Sequence, residues 1–288
     1  MHSIIPVLIT RDSGFSGINQ STIPLSSSLA LRINSDTKPH NSQIADLQKG
    51  LILVHNGVET VGEGTGFGVP VLIYSDETYF SGSSHVYLSR QNDFKIIRKE
   101  FFMDEVPRKR IRKVKLENQK LRAMSRYLDE LYQKHRRLRL LTLKSLSMRM
   151  GVHTSFVKTT TVGKVIVTYG ISQSRILVKT DFSLLKRENL KKIFMLNEQG
   201  SRFFRRYSDS NGTKLVDKKI GAWETIEAEW ASITDLQGRV GFRLWRTKNS
   251  VLRRGREFLK GCLDWIGLDY EINPKNAVFE YEIEIIGA

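Results

Sequence analysis

The sequence predicts a mainly β protein, one large antiparallel β-sandwich interrupted once by a long basic amphipathic helix. Three observations lead there. Runs rich in Val, Ile, Thr, Tyr and Phe alternate at short spacing with turn residues, the pattern of antiparallel strands. The regular strand-then-helix alternation of a parallel sheet is missing. One segment, from about Glu117 to Met148, contains no Pro or Gly and repeats its apolar residues at steps of three and four. The chain has 288 residues, 40% of them apolar, enough for a domain that buries roughly three quarters of its unfolded surface.

Residues 1–48 read as a polar, loosely ordered segment rich in Ser, Thr and Asn, with one strand at Leu29–Ile33. Residues 49–288 read as a single sandwich domain. Its first hairpin is Leu51–His55 with Val58–Val61 around Asn56-Gly57, a pair that tolerates the positive φ of a type I′ turn. Val71–Tyr74 with Tyr79–Ser81, and Val86–Leu88 with Phe94–Ile97, repeat the pattern. In the second half the pairs are Val165–Ile171 with Arg175–Thr180, Phe203–Tyr207 with Lys214–Val216, and Thr225–Thr234 with Val240–Trp245. A last pair, Leu268–Ile272 with Val278–Ile286, surrounds Asn273-Pro274-Lys275-Asn276.

The helix is predicted over about 117–148. Leu121, Met124, Leu128, Leu131, Leu138, Leu141 and Met148 share one face, with His135 and Ser145 between them, and Gly151 supplies a stop. Its neighbourhood is cationic. Between Lys95 and Arg149 there are 18 Lys+Arg and six acids, which supply most of the chain's formal net charge of +16. A positive field gathered in one place attracts phosphate-rich polymers and anionic surfaces. Arg108, Lys109, Arg110, Arg122, Arg126 and Arg137 are therefore the candidate polyanion contacts. The Leu face docks on the sandwich, or pairs with a second subunit to make an oligomer.

Most catalytic motifs are excluded. The run Gly62-Glu63-Gly64-Thr65-Gly66-Phe67-Gly68 has neither the dinucleotide spacing nor a following Lys-Ser/Thr, and leads into a strand. If extended, it puts its glycines on one bare face that an aromatic ring, a second backbone or a ligand must approach. The histidines share no metal-ligand spacing, and the lone Cys262 cannot form an intrachain disulfide or a multi-thiolate site; no metal or cofactor is expected. Ser81, Ser83 and Ser84 lie near His85 without a Gly-x-Ser-x-Gly elbow, which speaks against serine hydrolase chemistry. No apolar run is long enough to span a bilayer, and a cytoplasmic protein is expected.

Carboxylates beside aromatic rings are the positive signal. In Trp223-Glu224-Thr225-Ile226-Glu227-Ala228-Glu229-Trp230, an extended chain places Trp223, Glu227 and Glu229 on one face. Indoles stack on the C–H face of sugars and carboxylates accept from their hydroxyls, so Trp223, Glu227, Glu229 and Glu63 are the candidate ligand contacts. Trp230-Ala231-Ser232-Ile233-Thr234-Asp235-Leu236-Gln237-Gly238-Arg239-Val240-Gly241-Phe242-Arg243-Leu244 resembles a hairpin of the galactose mutarotase-like β-supersandwich proteins, in which a tryptophan-led strand, a turn ending in Gly and a glycine-containing return strand are common. The resemblance implies a supersandwich-like fold and binding or processing of carbohydrate on a concave sheet. It transfers no catalytic residue, and whether the protein is an enzyme stays open. The expected function is thus carbohydrate binding or processing, with nucleic-acid or anionic-surface binding through the basic helix as the alternative.

Overall fold

The structure is a computed structural model that describes residues 20–34, 48–61, 65–75, 77–91, 94–105, 110–111, 154–155, 161–259 and 263–288. Its strands are β1 (Gln20–Pro24), β2 (Leu29–Asn34), β3 (Ile52–His55), β4 (Val58–Glu59), β5 (Gly66–Tyr74), β6 (Glu77–Gln91) and β7 (Phe94–Glu105). Two-residue β8 (Arg110–Ile111) and β9 (Thr154–Ser155) pair only with each other. There follow β10 (Thr161–Ile171), β11 (Arg175–Asp181), β12 (Leu190–Gln199), β13 (Arg206–Asp209), β14 (Lys214–Val216), β15 (Glu224–Thr225) and β16 (Trp230–Thr234). The last are β17 (Gly241–Trp245), β18 (Ser250–Leu259), β19 (Leu263–Ile272) and β20 (Val278–Ile286).

Fourteen strands form one antiparallel sheet in the order β14-β13-β16-β17-β20-β11-β10-β7-β6-β5-β12-β19-β18-β15, and β1 to β4 form a second sheet. The large sheet doubles over on itself. β20 and β12 stand six places apart in it, yet the Tyr281 hydroxyl donates to Asn197 Oδ1 at 2.9 Å. Phe67 of β5 meets Phe242 of β17 edge to face at 5.0 Å between centroids. These contacts define two leaves, β14 to β6 and β5 to β15, with the bend where β6 leaves β5 after pairing only Leu72–Tyr74 with Glu77–Tyr79.

Alternation of side chains explains the leaves. In β10 Val165, Val167, Tyr169 and Ile171 are buried, while the intervening residues are partly exposed. β11 and β20 alternate in the same way, and their inward residues join one core with Leu29, Leu31 and Leu53 of the smaller sheet and with Leu51 just before it. The strand expected at Leu29–Ile33 is β2, which pairs with β1 and β3. The Asn56-Gly57 turn has both residues at positive φ, 49° and 80°, as a type I′ hairpin requires.

Three expectations are corrected. The described residues contain no α-helix; their helical geometry is confined to a short 3-10 turn at Asp217–Ile220. The expected long basic amphipathic helix is therefore absent from the described residues, and its segment 117–148 lies outside them. Among the described residues the core is closed by strands, loops and the Asp217–Ile220 turn, with no helical face packed on it. Second, Leu268–Ile272 and Val278–Ile286 are not a hairpin. β19 pairs with β12 and β18, whereas β20 pairs with β11 and β17, so Asn273–Ala277 crosses between leaves. Third, Gly66 and Gly68 at the start of β5 are not regularly extended, although an aromatic ring and a second backbone do approach them as expected; Gly62 and Gly64 lie outside the described residues. Gly66 and Gly68 are left-handed at φ 83° and 74°; a Cβ on Gly68 would strike the Tyr169 ring, and one on Gly66 the Leu51 backbone.

Candidate functional site

The chain's four tryptophans, Trp223, Trp230, Trp245 and Trp265, all lie outside the core and half-buried. They form two pairs, one on the outer face of each leaf. Indoles in such positions commonly meet a partner through an apolar ring with a polar edge.

On the first leaf Trp230 of β16 and Trp245 of β17 are direct cross-strand partners. Arg243, two residues before Trp245 and on the same face, brings its guanidinium to 4.7 Å from the Trp230 ring and 5.9 Å from the Trp245 ring. Glu284 of β20 fixes that guanidinium through a 2.9 Å ion pair. The row beside the indoles runs Lys214, Ser208, Ser232, Arg243, Glu284 across five strands. It is a row of short hydroxyls between cations and one acid.

Beyond Trp245 the chain turns through Arg246–Asn249 into β18, and an open groove of about 530 Å³ lies there. Trp245, Glu229 and Ser250 wall it with the turn. Ser250 and Thr247 share a hydrogen bond between their hydroxyls at 2.5 Å. Glu229 is exposed, and its N–H donates to Ser210 Oγ at 2.8 Å.

Sequence expected residues 223–230 to be one strand. Only Glu224 and Thr225 pair with β18, and the chain then crosses from the edge of one leaf into the other. Ile226 N–H still donates to Leu252 O, and Arg246 N–H to Glu229 O. Alternation survives the crossing: Ile226 and Ala228 are buried, while Glu227 and Glu229 point out. Glu227 pairs with Arg246 at 3.1 Å. Trp223 is not with them. It lies over Gly255, where a Cβ would come within 2.5 Å of its ring, and stacks on Trp265 at 5.1 Å and 11°. Glu63 lies outside the described residues, as do Arg108, Lys109, Arg122, Arg126 and Arg137; Arg110 is described only as backbone of β8.

Sequence reading missed a second acidic constellation, on the face opposite the core of the second leaf. Asn197 points inward to Tyr281, so alternation turns Glu198 to the other side, and Asp269 flanks it from β19. The β12–β19 ladder pairs neither Leu196 nor Asn197; Asp269 Oδ1 takes the freed Asn197 N–H at 2.9 Å. Glu198 Oε2 accepts from the N–H and hydroxyl of Thr65 at 3.1 and 3.0 Å. Burial pushes Glu198 up to about 6, and Asp269 is also held well above the usual carboxylate range, by burial first and then by the Glu198 charge. The signal available in sequence was only two acids in otherwise apolar strands.

Among the described residues no group of three or more His, Cys, Asp and Glu side chains is placed to hold a metal ion. Nor is any described helix long and apolar enough to cross a membrane.

Fold and site together define an antiparallel β-sandwich with a tryptophan-and-arginine face on its outside. No protein-family profile matches the chain, and no curated protein matches it. Among solved structures it is similar to the alpha-N-acetylgalactosaminidase NagBb from Bifidobacterium bifidum, solved as a GalNAc complex, with TM-score 0.48 and 9% identity over 94% of this chain. The match covers 36% of that chain, so this protein spans little more than a third of NagBb. It is also similar to the Slr1438 protein from Synechocystis sp. PCC 6803, with TM-score 0.40 and 7% identity over 97% of this chain and 100% of that one. At these values neither likeness assigns an activity.

Proposed function

We propose that the protein binds a saccharide on the outer face of the first leaf, in the groove that Trp245 and Glu229 share. The observation that carries the reading is the half-buried Trp245 indole, which walls an open groove together with a carboxylate, a guanidinium and two hydroxyl side chains. A ring face takes the C–H surface of a sugar, and the carboxylate and hydroxyls take its O–H groups. Trp230 continues the aromatic surface one strand away, at a spacing of about 5 Å.

The test is a glycan array followed by titration of tryptophan emission. A saccharide response that Trp245→Ala abolishes, that Glu229→Gln weakens about tenfold, and that Trp223→Ala leaves unchanged supports the reading. Absence of a response to every saccharide class overturns it.

A further inference from the structure

We infer that the saccharide this face recognises is an acidic one, carrying carboxylate or sulfate groups, and that Arg206, Lys214 and Lys248 select it. The inference rests on the saccharide reading and adds its substrate class.

The face holds more positive charge than its own acids neutralise. Two of its cations are already neutralised, Arg243 by Glu284 and Arg246 by Glu227. Arg206 of β13, Lys214 of β14 and Lys248 in the groove turn have no ion pair among the described residues. Against them stand two acids without an ion pair among the described residues, Glu229 in the groove and Asp235, whose carboxylate accepts from the Arg239 and Val240 N–H groups of its turn.

Position brings these three cations to the indoles. Lys214 sits opposite Ser208, which sits opposite Ser232, and Ser232 is two residues from Trp230. Two strand spacings and two residues put its Cα roughly 12 Å from that of Trp230. Arg206 lies opposite Thr234 on the same face; one strand spacing and four residues put its Cα roughly 14 Å from that of Trp230. Lys248 lines the groove itself. Uncompensated cations at this separation flank a chain laid across the two rings, rather than a single ring bound at one point.

The chemistry favours an acidic glycan over a nucleic acid. Ser208 offers a half-buried hydroxyl opposite Lys214, and Thr247 and Ser250 add two more in the groove, suited to sugar O–H groups. Glu227, Glu229 and Glu284 interrupt the positive field that a continuous phosphate backbone needs.

Matched ligand pairs separate charge from backbone. The probes are an oligogalacturonate and its methyl ester, and a chondroitin sulfate oligosaccharide and its desulfated form, titrated against tryptophan emission at low and at molar salt. The acidic member of at least one pair should bind about tenfold or more tightly at low salt, and the preference should fade at high salt. A triple variant, Arg206→Gln with Lys214→Gln and Lys248→Gln, should bring acidic and neutral members within about twofold, by weakening the acidic member. All three residues are at the surface, and the far-ultraviolet spectrum confirms that the variant is folded. Equal binding of acidic and neutral members at low salt, or a preference that persists in the triple variant, overturns this inference alone. Silence from both members of both pairs and from the array overturns the saccharide reading with it. Single-stranded DNA that binds more tightly than any saccharide overturns the class of ligand.

Discussion

Single residues hold the two leaves at a fixed distance, and Tyr169 shows how. Its hydroxyl reaches across the core from β10 to the carbonyls of Phe67 and Gly68 at 3.1 and 3.0 Å, and its ring occupies the space a side chain at 68 would need. Gly68→Ala adds both a clash and a strained φ, and should cost about 2–4 kcal/mol in urea unfolding. Combining it with Tyr169→Phe, which removes the nearest oxygen, should cost less than the two separate losses added together. The buried carboxylates set a second expectation. Glu198 ionises at about 6 in the folded chain, above its ordinary 4.5, so the unfolded state releases its proton first as pH rises. Its contribution to stability is full below about 4.5 and is lost as pH climbs through about 6. Stability should therefore rise on acidification from neutral toward pH 5, and Glu198→Gln should flatten that dependence in thermal melts. A profile unchanged by the substitution would count against a buried ionisable Glu198.

At the scale of elements, the segment between β15 and β16 decides what meets what. Extended geometry held, so the inward Ile226 and Ala228 and the outward Glu227 and Glu229 follow the alternation legible in the sequence. Pairing did not, because the strand switches leaves, and this takes Trp223 to Trp265 and away from the two glutamates. The parallel indole stack should give an exciton couplet in circular dichroism, abolished by Trp223→Phe. Gly255→Val, which occupies the floor under Trp223, should remove the couplet with less effect on unfolding than Gly68→Ala. A couplet that survives both substitutions would rule out the stack.

For the molecule as a whole, hairpins were the readable part. Asn56-Gly57, Ser172–Ser174 and the Asp235–Val240 turn connect strands that do pair, the last with Asp235 Oδ1 accepting from the N–H groups of Arg239 and Val240 at 2.7 and 3.2 Å. Turn chemistry is local and shows in the residues themselves. Leaf assignment is not local. Asn273-Pro274-Lys275-Asn276 is as suitable for crossing between leaves as for closing a hairpin, and only the partners of β19 and β20 distinguish the two. β12 escaped notice because Leu190-Lys191-Lys192 opens it and Glu198-Gln199 closes it, although it pairs β5 some 120 residues earlier with β19 some 70 later. Of the site, Glu227 and Glu229 were legible as exposed acids; Trp245, Arg243 and the free cations were not, since their meeting depends on strand order. A sheet assembled from partners this distant pays loop-closure entropy early. Refolding should run in the millisecond-to-second range, slower than for helical proteins of similar size, in stopped-flow circular dichroism.

The outward placement of all four indoles has an optical consequence. Water already reaches these rings in the native state, so thermal unfolding should move their emission maximum only slightly, and a melt recorded there would understate cooperativity. Tyr169, Tyr207 and Tyr270, fully buried in the native state, are the chromophores whose absorbance changes when the interior opens.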